Sequence, residues 1–204
     1  MRHANDEKTI KQMLAEIRTV NIEKGWRTAE GGLGTNSFGD YVALLHSELS
    51  EALEAYRDHR LADATSKPQE IWTHAAMCEA PIFQGYRQAK PEGVGSEFAD
   101  VLIRLLDTCD VCDVRPFETD LTLADVFPVE GQFLRSFGDW IAWLHLLAAH
   151  LGSTKLADDA AHLLRALVAT CEHFGIDLAA EYERKIAYNR TRPYQHGGRT
   201  LADA

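Results

Sequence analysis

Four acids set the chemistry that this sequence can support. Glu48 and Glu51 stand three apart in HSELSEALEAYR, and Glu97 and Asp100 repeat that spacing in EFADVLIR. Residues three apart on an α-helix share a face, so each pair turns two carboxylates in one direction. On a helical wheel centred on Leu49, the residues Val42, Leu45, Ala52, Leu53 and Tyr56 form an apolar stripe. Glu48 and Glu51 fall beside that stripe, in an arc with Tyr41, Leu44 and Ala55. An ionised carboxylate is costly there unless it is paired or bound to a metal. The ordinary solvated face, with His46, Ser47, Ser50, Glu54, Arg57 and Asp58, lies opposite.

Glu97 and Asp100 share an edge with Arg104, Asp107, Thr108 and Val111, which implies less burial. Acids in a first helical turn are also favoured by the helix dipole alone, and that reading stays open for this pair. Together the two pairs form a cluster of hard oxygen ligands suited to Mg²⁺ or Mn²⁺. No soft-ligand set for zinc accompanies them.

Helices must carry these acids. Of the 204 residues, 46% are hydrophobic and 25% charged, proportions of an ordinary globular chain that make disorder a poor default. Helical periodicity runs over about 6–24, 38–60, 96–112, 134–151, 155–174 and 177–191, while hairpin signals are scarce. The fold class is therefore all-α, in a single domain over 1–204. Ser96 is placed as an N-cap, and Gly152 and Gly175 as helix stops. Residues 61–95 contain Pro68, Pro81, Gly85, Pro91, Gly93 and Gly95. This stretch reads as a functional insert with a short helix around 69–78.

One internal match constrains the arrangement. SFGDYVALLH (37–46) and SFGDWIAWLH (136–145) agree at Ser, Phe, Gly, Asp, Ala, Leu and His, at an offset of 99 residues. LIRLLDTC (102–109) and LLRALVATC (163–171) agree more loosely. The pattern predicts a degenerate repeat of a helical hairpin, with units at about 37–112 and 136–175, packed as a four-helix bundle. Under the offset Glu48 and Glu51 become Leu147 and His150, so one copy keeps the acids. His46 and His145 coincide, which predicts a shared structural contact rather than metal ligation.

Charge narrows the partners. The net charge is −10, which disfavours binding to a nucleic-acid polymer or an anionic membrane. Segment 184–199 runs the other way, with Arg184, Lys185, Arg190, Arg192 and Arg199 and no acid. A small anion held locally, through metal ions that the acids bind, fits that asymmetry. Cys78, Cys109, Cys112 and Cys171 show no disulfide-scaffold spacing, and Cys109-x-x-Cys112 lies mid-helix on an apolar arc. With no apolar leader at the N-terminus and no run long enough to span a bilayer, the expected compartment is a reducing cytoplasm.

At this point the sequence resembles the all-α NTP pyrophosphatase superfamily in its MazG-like branch, related to the dimeric dUTPases. That family carries EExxE on one helix and ExxD on a later one as its Mg²⁺ site; here HSELSEALEAYR supplies the second and third acids, with Ser47 in the place of the first Glu. KIAYNRTRPYQHGGR resembles the KxxxNxxR phosphate motif of the dUTPases, at Lys185, Asn189 and Arg192. The resemblance implies a MazG-like fold, a homodimer, and Mg²⁺-dependent hydrolysis of a nucleoside triphosphate to the monophosphate and pyrophosphate. It implies Glu48, Glu51, Glu97 and Asp100 as metal ligands, with Glu48 and Glu51 catalytic. It also points to Asn21, Trp26 and Asn36 around the base, although Trp26 serves equally well closing a helix end against the core.

Two other classes compete. A ferritin-like di-metal protein requires two ExxH motifs, and the chain offers only Asp159-x-x-His162. A helical binding module would keep the acids as structural groups. A dUTPase-like or dCTPase-like enzyme that also accepts diphosphates is the nearest enzymatic variant.

Overall fold

The computed structural model describes residues 7–34, 36–62, 91–114, 120–126, 134–155 and 157–195. Most of the expected insert, its short helix at 69–78, Cys78 and the end of the basic segment with Arg199 lie outside the described residues. Among those described there are six α-helices and no strand: α1 (Ile10–Glu23), α2 (Phe38–Ala62), α3 (Val94–Val111), α4 (Phe137–Thr154), α5 (Ala157–Phe174) and α6 (Leu178–Thr191). The all-α expectation holds, and no described helix is long and apolar enough to cross a membrane.

Helices α1, α2, α4 and α6 start where a polar side chain accepts a backbone donor. Thr9 caps α1 in a reciprocal box with Gln12, and Ser136 caps α4 in one with Asp139. Ser37 and Asp40 exchange the same bonds at α2, with Ser37 N donating to Asp40 Oδ2 at 2.7 Å and Asp40 N to Ser37 Oγ at 3.2 Å. The shared SFGD motif thus performs one local task twice.

Two predicted boundaries are corrected. Ser96 is not an N-cap: α3 begins at Val94 behind Gly93, whose φ of 94° suits a residue without Cβ. Ser96 is buried one turn in, with its hydroxyl donating to the Pro91 carbonyl at 2.9 Å. Gly152 does not stop α4, which runs on to Thr154 and closes at Lys155 in the left-handed region. A Cβ at Gly152 would lie 2.9 Å from Val42 Cγ1, so the glycine allows α2 and α4 to pack closely.

α3 is the axis of the molecule, packed against α1, α2, α5 and α6. Its apolar residues Phe98, Val101, Leu102, Leu105 and Leu106 are fully buried, meeting Leu45 and Leu49 of α2 and Leu163, Leu164 and Leu167 of α5 within one core. That burial, worth about 1.5–3 kcal/mol per large side chain, holds the helices together.

α2 and α4 run antiparallel. Lys155 lies over the Phe38 ring at 4.7 Å, the rings of His46 and His145 stack at 5.1 Å, and Tyr56 stacks on Phe137 at 4.3 Å. The first and last of these pairs exchange positions under the 99-residue offset. At the centre His46 Nδ1 and His145 Nδ1 are 2.8 Å apart, so one ring donates and the other accepts. The contact predicted for these two histidines is therefore present.

Burial holds both imidazoles below the usual histidine value of 6.5. A proton taken up there is bound more tightly by the unfolded chain, so the pair's contribution is complete above about pH 6.5 and falls away below it. Urea unfolding of wild type and His46→Ala/His145→Ala between pH 7.5 and 5 should show a steeper loss of stability on acidification in wild type; parallel curves would refute the effect. Gly152→Val should destabilise by about 1–3 kcal/mol through overpacking on Val42, read from the same denaturation midpoints.

Candidate metal centre

One pocket of about 280 Å³ opens between α1, α2, α3 and α6 and collects most of the residues singled out from sequence. Glu48, Glu51, Glu97 and Asp100 line it, with Lys185, Asn189 and Arg192 facing them and Asn21 and Trp26 at its side. Asn36, proposed for the base, precedes α2 and is not among the lining residues.

The acids are not equivalent. Glu48, Glu97 and Asp100 each offer an oxygen within 4.8 Å of the others, the first two buried and the third half-buried. Glu51 stays outside this triad. It lines the pocket but is exposed, with Ser47 Oγ donating to its Oε1 at 3.2 Å. The wheel put Glu48 and Glu51 in one apolar arc; α3 covers only the edge nearer the core, so Glu48 is buried and Glu51 stands at the mouth. Ser47, in place of an acid, orients Glu51.

Burial of these carboxylates is offset by cations. Lys185 is 1% exposed, and its ammonium lies 2.6 Å from Asp100 Oδ2 and 4.0 Å from Glu97 Oε2 while donating to Ser96 Oγ at 2.9 Å. Burial alone would lower the Lys185 pKa, but Asp100 and Glu97 outweigh it and hold the amine charged. Arg104 Nε donates to Glu48 Oε1 at 3.1 Å. Burial pushes the Glu97 carboxyl up to about 7 against the pull of Lys185, and burial followed by the charge of Asp100 raises Glu48.

Lys185 therefore lines the pocket from among the acids, its ammonium already paired with Asp100, at the position where the resemblance places a phosphate-binding lysine. Arg192 is half-buried beside the Tyr188 ring, with its guanidinium carbon 5.9 Å from the ring centre, and lines the mouth. Asn189 Oδ1 is buried with no hydrogen-bond partner among the described residues, a cost of about 1–3 kcal/mol that a bound molecule would remove. Turning that amide over would present a donor at the same point.

A divalent ion fits the donor set. Three carboxylate oxygens from two helices are hard ligands, and the short Mg²⁺–oxygen bonds of about 2.0–2.1 Å need only a small inward movement of side chains 4.8 Å apart or less. The remaining positions would fall to water and to ligand oxygens, the usual manner in which Mg²⁺ is held.

Three parts of the site were missed in the sequence. Lys24 and Arg104 line the pocket, and Ser96 braces Lys185. Behind the pocket Arg27 is buried and donates through Nε to Asp107 Oδ1 at 2.8 Å and through Nη1 to Asp110 Oδ2 at 2.6 Å. Arg18 holds Asp110 with two further bonds of 2.9 Å. The i, i+3 spacing of Asp107 and Asp110 on α3 was a legible signal, but their partners come from 80 residues or more away.

Tyr194 and Gln195 tie the end of α6 to the turn after α1. Gln195 N donates to the Lys24 carbonyl at 2.9 Å and Gln195 Nε2 to that of Gly25 at 3.1 Å. The Tyr194 ring lies where a Cβ on Gly25 would be. Compared with protein-family models, curated proteins and solved structures, the chain matches none.

Lys185→Met leaves Asp100 and Glu97 without their cation and should cost about 3–5 kcal/mol in metal-free buffer. Added Mg²⁺ should return part of that loss, measured as a larger rise in Tm for the variant than for wild type. Equal rises in the two proteins would show that Lys185 and the ion do not share the acids.

Proposed function

We propose that the chain is a Mg²⁺-dependent nucleoside triphosphate pyrophosphohydrolase that cleaves between the α and β phosphates and releases a nucleoside monophosphate and pyrophosphate. The observation that carries this reading is the triad of Glu48, Glu97 and Asp100 in the wall of a pocket whose other walls hold Lys24, Arg104, Lys185 and Arg192. Four acids and four bases line that pocket, so its formal charge is zero when empty. A divalent ion would make it positive and suited to a short polyphosphate, whereas a lone cation or a lone anion fits less well. The resemblance to the MazG-like pyrophosphatases, with KxxxNxxR at the end of α6, points the same way.

In this reading Glu48, Glu97 and Asp100 hold Mg²⁺, with Mn²⁺ as a substitute. The bound ion would neutralise phosphate charge and promote attack of water in line with the leaving pyrophosphate. Glu51, exposed and oriented by Ser47, would accept the proton of that water at the mouth. Lys185, Asn189 and Arg192 would stabilise charge developing on the phosphate oxygens, and Asn21 and Trp26 would hold the nucleoside.

The same proposal takes the SFGD helices as copies of one hairpin in a MazG-like bundle. The interchange of Phe38·Lys155 with Tyr56·Phe137 around the His46·His145 contact supports it. It also expects a homodimer, and cytoplasmic housecleaning of the nucleotide pool as the role.

A panel of ribo- and deoxyribonucleoside triphosphates and diphosphates, with products identified by ³¹P NMR, tests the reading. Wild type should give monophosphate and pyrophosphate from at least one triphosphate in Mg²⁺. Glu48→Gln and Asp100→Asn should each lower that rate by 10²-fold or more, order of magnitude, with circular dichroism unchanged. No turnover of any nucleotide in Mg²⁺ or Mn²⁺ would end the proposal.

A further inference from the structure

The geometry points to Arg104 as the residue that grips the phosphate retained by the nucleoside, and so as the group that makes the site one for mononucleotides rather than for free pyrophosphate. This inference rests on the function proposed above and adds to it a residue outside both motifs of the resemblance.

α3 carries the charges of the site in order along its length. At 1.5 Å per residue, Asp100 and Arg104 are about 6 Å apart along the axis, and Asp107 lies about 4.5 Å farther. The first station, Glu97 and Asp100, meets Lys185 and Glu48. The last, Asp107, is bonded by Arg27, whose own backbone N–H donates to the Asn21 carbonyl at 3.2 Å. Asn21 also lines the pocket, beside Trp26. A nucleotide with its terminal phosphates at the first station and its base beside Asn21 and Trp26, in front of the last, would therefore lay its α-phosphate beside Arg104.

The side chain is prepared for that contact. Its Nε is engaged by Glu48 at 3.1 Å, and this is its only hydrogen bond among the described residues. Its side chain is 32% exposed and lines the pocket. The two terminal nitrogens therefore remain to bind an anion in the forked manner that a guanidinium permits and an ammonium does not. Because the same group holds Glu48, an anion on its outer edge would also fix a metal ligand on its inner edge. Lys24 and Arg192 lie at the rim on other elements and lack this link to the triad.

Calorimetric titration of wild type, Arg104→Met and Arg104→Lys, each in Mg²⁺, with the deoxynucleoside monophosphates and separately with inorganic pyrophosphate, tests the assignment. Arg104→Met should weaken monophosphate binding about ten-fold or more and change pyrophosphate affinity less than about two-fold. Arg104→Lys keeps a cation for Glu48, so it should restore the Mg²⁺-induced rise in Tm while leaving monophosphate affinity reduced. Parallel losses for both ligands, or full rescue of monophosphate binding by lysine, would overturn the assignment and leave the hydrolase reading intact. Absence of triphosphate turnover in wild type would instead remove that reading; selective loss of monophosphate binding in Arg104→Met would still place a mononucleotide at Arg104.

Discussion

An ammonium buried among carboxylates is the interaction on which the rest of this structure depends. Lys185 reaches from α6 to Asp100, Glu97 and Ser96 on α3, and without a cation there the acids could not be drawn so far from water. Their burial in turn brings Glu48 of α2 to the same point, with Arg104 as its own partner. Three helices are thus held in register by charge at a place where apolar packing alone would have excluded polar groups.

The same helix carries a second buried ion cluster. Asp107 and Asp110 are held by Arg27, with Arg18 bracing Asp110 from outside. Between the two clusters the opposite face of α3 is occupied by Phe98, Leu102, Leu105 and Leu106, all fully buried. One face of α3 therefore fixes the core and the other arranges charge, and the pocket lies on the charged face. Removing one partner from such a pair strands the other in a poorly solvating environment, so these ion pairs constrain which helix faces meet.

Much of this was legible because local rules produced it. The apolar period located the helices within a few residues, and the position of Glu48 beside the Leu45–Leu49–Ala52 stripe foretold its burial. What could not be read depended on distant partners. Ser96 has the composition of an N-cap, yet Gly93 turns the chain earlier and leaves Ser96 to brace Lys185. Gly152 has the composition of a stop, yet Val42 on another helix requires the space. Glu51 differs from Glu48 only in which neighbour covers it, and no pattern within α2 records where α3 ends. Arg27 and Arg104 belong to residue types that are usually exposed, and their roles appear only once the acids of α2 and α3 are placed.

The clasp between Gln195 and the Lys24 and Gly25 carbonyls has a consequence for the order of assembly. The pocket takes walls from near residues 20–26, 44–51, 97–104 and 185–193, so its contacts span almost the whole described chain. Such non-local contacts form late, since the entropy of closing the intervening chain must first be met by the core. On a ribosome, α1 to α5 can collapse while the last helix is still in the exit tunnel, but the site cannot. An incompletely synthesised chain would therefore hold its acids without their cation and without a closed wall, and the pocket would come into being only once α6 has emerged.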